Sequence, residues 1–280
     1  MTTVSCIVVT TLVVVSLANL VLLVHVIMHS LAKCDRPRTV LQKVPKIPKI
    51  QKREDVASLQ EHAPSTANYK FMGALVLLRD DDDDSEFVCG VAIISKKWVL
   101  TAAHCVEAIL DQLKDKVKVS SGGVKFKYGF WHDVDKMIVH EKYTFFEYAN
   151  NIALVSVVQQ FKGKDVTIVP LPSVNYKYLA SSNATALAWS RVEVFAINVK
   201  LLLHKQCQSA HFDRVDDGVF CAERKTCVLD YGGLLVQKGV MVGSVTFGVG
   251  CGTKPVVYSK ISVFEEWIKS NKVGAVFKER

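Results

Sequence analysis

The sequence predicts an all-β domain, a sandwich or barrel, closed by one helix and preceded by a hydrophobic leader and a basic linker. Two observations carry this. From Phe71 onward, short runs of β-branched and aromatic residues alternate with clusters of Gly, Asn, Asp and Ser, the pattern of strands separated by turns. Hydrophobic residues make up 50% of the 280-residue chain, with 13 Phe, 8 Tyr and 4 Trp, enough for a full core and too apolar for a disordered protein.

The leader comes first. Val4 to Met28 is a 25-residue stretch whose only ionisable groups are His25 and the thiol of Cys6. It is long enough to span a bilayer and longer than the usual core of a signal peptide. Small-residue endings suited to cleavage occur at Ser16-Leu17-Ala18 and Ser30-Leu31-Ala32. An uncleaved anchor with all its basic residues downstream would leave the domain in the cytosol, which conflicts with the cysteines discussed below. Residues 1–32 are therefore read as a signal peptide cut after Ala32, with a signal anchor over residues 4–28 as the alternative.

Residues 33–70 read as a pro-segment or linker. Val44-Pro45-Lys46-Ile47-Pro48-Lys49-Ile50 favours extended, polyproline-like backbone, because proline fixes φ and removes a donor. Lys33 to Arg53 holds eight Lys or Arg against the single acid Asp35, so +7 of the net +8 lies there and the chain after Arg53 sums to +1. The basic character belongs to this segment, which argues against a nucleic-acid-binding domain.

In the domain, the strand runs are Ala74 to Leu78, Val88 to Ile94, Trp98 to Leu100, Ile152 to Val158, Val192 to Val199 and Val240 to Phe247. Val263-Phe264-Glu265-Glu266-Trp267-Ile268 has the apolar spacing of a closing helix. Asp80 to Asp84 is five consecutive acids between two runs. Such a run repels itself and resists burial, so it is a solvated hairpin tip. A site for calcium or for a basic partner is the sharper reading, but the ligand alternation and turn glycine of an EF-hand are missing.

One set of motifs goes beyond composition. Phe87-Val88-Cys89-Gly90 is followed by Trp98-Val99-Leu100-Thr101-Ala102-Ala103-His104-Cys105. Further along come Asn151-Ile152-Ala153-Leu154, Leu171-Pro172, Ala188-Trp189, Phe220-Cys221-Ala222, Asp230-Tyr231-Gly232-Gly233, Cys251-Gly252 and Val257-Tyr258. In kind and order these resemble the chymotrypsin/trypsin serine protease family. The resemblance covers about residues 71–270, within a domain taken as 71–280. It implies two six-stranded antiparallel β-barrels with a cleft between them and a C-terminal helix. It also implies the disulfides Cys89–Cys105, Cys207–Cys221 and Cys227–Cys251, and three bridges require an oxidising compartment. Cys6 lies in the leader. Where some relatives tether the pro-segment by a disulfide, the partner position here is Pro170, which leaves Cys34 free or bridging two chains.

Acyl transfer of this type needs a nucleophile, a base, a group that orients the base, and amide donors for the oxyanion. His104 stands at the base position, where the bland alternative is a leftover packed between the barrels. Asn151 replaces the orienting aspartate, a change that costs about 10⁴ in kcat where it has been made in an active triad. Tyr231 replaces the nucleophilic serine; its oxygen lies too far from the backbone, and its ring fills the space of a scissile carbonyl. Leu229 stands in place of an oxyanion-loop glycine, at a position whose backbone often needs torsions that leucine adopts at a cost. The remnant substrate cleft would hold Lys225 at its floor, Val256 in place of a wall glycine, and Phe247-Gly248 in place of Trp-Gly. Asp230, the buried acid that pairs with the new amino terminus in active relatives, is retained. No Ile-Val-Gly-Gly occurs near Val56-Ala57-Ser58-Leu59, and a cut after Lys52-Arg53 would expose Glu54, too polar to bury. Asn183-Ala184-Thr185 is a glycosylation sequon, expected in a surface loop.

The resemblance and these departures from it imply a secreted serine protease homologue that binds without cutting. It would act as a cofactor, decoy or regulator, with extracellular proteins, including active proteases or their substrates, as partners. No metal, cofactor or nucleic acid is expected, and a membrane enters only if the leader stays uncut. An active endopeptidase and a membrane-anchored adhesion or receptor ectodomain are the alternatives.

Overall fold

Met72 to Leu78 begins the folded region, in a computed structural model that describes residues 68–79, 85–112, 114–123, 125–144, 149–190, 193–211, 215–223, 232–247 and 254–279. The leader, most of the linker, Asp80–Asp84 and Cys34 lie outside the described residues, as do Lys225, Cys227, Leu229, Asp230, Tyr231, Gly248 and Cys251. Among the described residues no helix is long and apolar enough to cross a membrane.

Strands β1 (Met72–Leu78), β2 (Ser85–Ile93), β3 (Trp98–Thr101), β4 (Val117–Ser121), β5 (Phe130–Val139) and β6 (Ala153–Val157) form a closed barrel in the order β1-β2-β3-β6-β5-β4. Its inward residues, among them Leu75, Val91, Leu100, Val119 and Leu154, are fully buried. Strands β4 and β5 are absent from the sequence expectation because exposed polar residues interrupt their apolar pattern. Lys118 and Asp133, paired across the two strands at 2.6 Å, show why: both lie on the outer face.

Strand β7 (Leu171–Pro172) leads from the first barrel to the second set of strands. These are β8 (Asn183–Ser190), β9 (Glu193–Lys200), β10 (Val219–Ala222), β11 (Leu234–Gln237), β12 (Val240–Phe247) and β13 (Val256–Lys260), ordered β10-β13-β12-β11-β8-β9. The two ends of this sheet meet where Leu201 bridges Ala222 and Leu202 N–H donates to Cys221 O at 2.9 Å, rolling it into a second barrel. Its core holds Tyr176, Phe195, Phe220 and Tyr258. Asn183 opens β8 rather than lying in a loop. The alternation Ala184-Thr185-Ala186-Leu187 sends small apolar side chains inward, while Asn183 remains exposed.

Two short helices were not expected from the sequence: α1 (Ala103–Glu107) and α2 (His204–His211). The closing helix is present as α3 (Glu265–Ser270), entered through a 3-10 turn over Ile261–Phe264. Beyond it, β14 (Phe277–Lys278) pairs in parallel with β7. The Glu265 carboxylate accepts from Val174 N–H at 2.5 Å and Lys269 Nζ lies 2.7 Å from it, which holds its pKa below the usual carboxylate range.

The barrels are joined by polar and aromatic contacts. Trp189 Nε1–H donates to Gly73 O at 3.0 Å, and its ring forms a three-ring cluster with Phe87 and Phe126. Met241 N–H donates to Pro170 O at 3.0 Å.

Candidate functional site: a histidine and an asparagine between the barrels

His104 is held by short-range constraints. It sits one residue into α1, immediately after β3, where Ala102 and Ala103 are fully buried. Cys105 is bonded to Cys89 on β2, with Cα atoms 6.0 Å apart. Thr101 Oγ1 donates to Gly90 O at 2.8 Å and closes the same corner. On the other side Gly232 approaches Gly90 so closely that a Cβ would lie 2.5 Å from the Gly90 oxygen, and its φ is +77°, so only glycine fits.

Asn151 comes from the turn before β6. Asn150 takes φ +52°, a left-handed conformation that asparagine tolerates better than most residues, and Ile152 N–H donates back to Asn150 O at 2.8 Å. The turn aims the Asn151 side chain at His104 with no solvent exposure. Its Oδ1 accepts from the His104 main-chain N–H at 3.1 Å, and its Nδ2 donates to Thr246 Oγ1 on β12 at 2.7 Å.

These two bonds orient the amide, because a main-chain N–H can only donate and so must face the oxygen. The second Nδ2 hydrogen is then left for the His104 ring. His104 Nδ1 lies 2.9 Å from Asn151 Nδ2 and 3.1 Å from Oδ1. With Nδ2 nearer and a donor only, Nδ1 accepts, and the ring proton resides on Nε2. Burial pushes the His104 pKa down to about 4. The imidazole is neutral at physiological pH. Its reach toward Tyr231 lies outside the described residues.

His104 also lies beside the Cys89 and Cys105 sulfurs, the ligand atoms all within 4.8 Å of one another. The sulfurs are bonded to each other, which removes the thiolates a metal would need.

Of the remnant cleft, Phe247 and Val256 are described. Phe247 ends β12, and the ring of His211 from α2 meets it edge-on at 5.2 Å. His211 is anchored in turn by its Nε2, 2.8 Å from Pro255 O. Val256 opens β13. It is 1% exposed within the second-barrel core, opposite Ala222, whose small side chain leaves room for it. Cys207, at the buried face of α2, is bonded to Cys221 on β10; the Cys227–Cys251 pair lies outside the described residues. Two residues of this region, Thr246 and His211, carry no role in the motif reading. A hydroxyl in the apolar run Val240–Phe247 was the available signal for Thr246; α2 has no such signal.

Comparison with known proteins agrees with this architecture. The family model described as Trypsin matches residues 59–268. Kallikrein 1-related peptidase b3 of Mus musculus is 26% identical over 213 residues, covering 66% of this chain and 80% of the relative. Trypsin of Phaedon cochleariae is 30% identical over 199 residues, 64% of this chain and 77% of the relative. Serine proteinase stubble of Drosophila melanogaster is 28% identical over 216 residues, 64% of this chain but 26% of the longer relative. With two rolled sheets, a histidine corner tied by Cys89–Cys105 and a family match spanning most of its length, this chain belongs to the trypsin family of serine proteases.

Proposed function

We propose that this chain is a secreted, non-catalytic member of the trypsin family that binds other extracellular proteins. The observation that carries the reading is the Asn151 amide. With Oδ1 held by the His104 main chain and Nδ2 donating to Nδ1, His104 presents a hydrogen at Nε2 where a general base must present a lone pair. Sequence supplies the rest: Tyr231 at the nucleophile position, Leu229 in the oxyanion loop and Lys225 at the cleft floor.

A rigid pair of barrels tied by disulfides retains its use without catalysis, because its loops present a fixed surface to partners. The two described disulfides suit an oxidising compartment. Asn183, exposed at the start of β8, is accessible for a glycan. The relatives named above carry protease names, so an active endopeptidase is the reading to be tested against.

The test is a fluorophosphonate activity probe on the full chain, with Tyr231→Ser and Tyr231→Ser/Asn151→Asp beside it. No labelling is expected in the parent, and no turnover of arginyl, aromatic or small-residue peptides in either variant. Labelling of the native parent above its heat-denatured control would overturn the proposal. Turnover by Tyr231→Ser that disappears with His104→Ala would show a defect only one residue deep.

A further inference from the structure

The near-neutral sum of the chain after Arg53 conceals an uneven distribution. Lys96 and Lys97 form the turn between β2 and β3, where Ile94 N–H and Ser95 N–H both donate to Trp98 O. Lys162 and Lys164 flank Gly163 in the loop after β6, where φ is +114° at the glycine. Main-chain bonds stitch the two turns together: Phe161 N–H donates to Lys96 O at 2.8 Å, and Val157 N–H to Lys97 O at 3.0 Å. Lys70, ahead of β1, joins from a third stretch of chain. Its ammonium donates to Lys164 O at 2.8 Å and lies 3.4 Å from Asp165 Oδ1.

Five lysines thus come from stretches of chain that these bonds join, and Asp165 among them is already engaged by Lys70. Lys96, Lys97, Lys162 and Lys164 are exposed, and among the described residues none of the four is in an ion pair. Their backbones are fixed by the bonds above, so the charges cannot drift apart as they would in a flexible tail. Like charges held together on a surface attract a polyanion, and the counterions it displaces add to the affinity.

We propose that this face of the first barrel binds a sulfated glycan chain. The lysines come from separate turns of the chain. That suits an extended polymer with repeated negative charge better than a single anion, which needs donors converging on one point. Nucleic acid is disfavoured because, of the aromatic rings beside the lysines, Phe161 is buried in the barrel core and Trp98 is half-buried against it, leaving little free face on which a base could stack. The described disulfides suit a compartment in which sulfated polysaccharides are the abundant polyanions. The inference stands independently of whether the chain is catalytic.

Heparin is the probe, used with the full chain. All eight Lys and Arg between Lys33 and Arg53 are first changed to Gln, so that the linker does not dominate. In that background heparin binding should persist. Adding K96Q/K97Q/K162Q/K164Q should weaken it and lower the slope of log affinity against log salt by about 3, close to one unit per lost contact. The pairs K96Q/K97Q and K162Q/K164Q should each give about half the effect, so that the result does not depend on one variant folding. Replacing the equally exposed Lys205, Lys238, Lys272 and Lys278 should do little. Equal weakening by that second set, or none by the first, would overturn the proposal. Duplex DNA of matched charge competing as well as heparin would overturn the assignment to a sulfated glycan.

Discussion

Asn151 has no solvent contact and spends its side-chain hydrogen-bonding capacity on His104 and Thr246. An aspartate there would carry a buried negative charge beside the imidazole, which favours a proton on Nδ1 and the cationic ring. In the parent, His104 should titrate near pH 4, well below its ordinary value of 6.5. Asn151→Asp should move the titration upward, and nitrogen-resolved NMR of the imidazole would follow both. Parent titration near 6.5 would remove the burial argument; no upward move in Asn151→Asp would remove the hydrogen-bond assignment. The meeting of His104 and Asn151 was legible only through the resemblance of the motifs around them to one family, since neither motif by itself brings its strand to the other. The role of Thr246 was not, since a hydroxyl on β12 gains meaning only when the barrels bring it to Asn151. The burial of Val256 opposite Ala222 was not legible either, since it depends on the register of β10 against β13.

Among the elements, runs of strong apolar character were readable and mixed ones were not. Strands β1, β2, β3, β6, β9 and β12 appear close to where β-branched runs predict them. Strands β4 and β5 escape because one of their faces is wet and charged, and α2 because its buried residue is a lone cysteine. Glycine positions carry a sharper demand. At Gly232 the turn entering β11 needs both a positive φ and the absence of a Cβ. Gly232→Ala should destabilise the domain by about 2–4 kcal/mol, combining left-handed backbone cost with displacement of the β2 main chain. For a domain of this size that corresponds to roughly 5–15 °C in Tm. A thermal melt within a degree or two of the parent would mean that the close approach to Gly90 is easily relaxed. Gly239, whose φ is +74° but which has nothing within 4 Å of a Cβ, separates the two costs: its alanine variant should show the backbone part alone.

At the scale of the whole molecule, three histidines face the same direction energetically. Burial lowers the pKa of His104, His132 and His140. The unfolded chain takes up protons at these groups first, so folding is favoured fully above about pH 6.5 and loses stability as the pH falls toward the folded values. His104 alone contributes about 3 kcal/mol between pH 6.5 and 4. Below that window Asp133 and Glu265, whose folded pKa values are depressed by Lys118 and Lys269 respectively, add losses of their own. Thermal melts from pH 7.5 to 4.5 should show a steady fall in Tm, made shallower in His104→Gln relative to that variant's own neutral-pH value. A flat profile would contradict the linkage. A different kind of consequence follows from the pairing of β14 with β7. Leu171 N–H donates to Val276 O at 2.8 Å and Ser173 N–H to Lys278 O at 2.9 Å, so the strand connecting the two barrels is sealed by residues beyond the closing helix. Main-chain amides exchange with solvent through whichever opening is cheapest. For Leu171, itself fully buried, that opening is the lifting of a two-residue strand rather than the parting of either barrel. The hydrogen-exchange lifetime of the connector is therefore set by its strap, and the two barrels can keep their own, slower clocks.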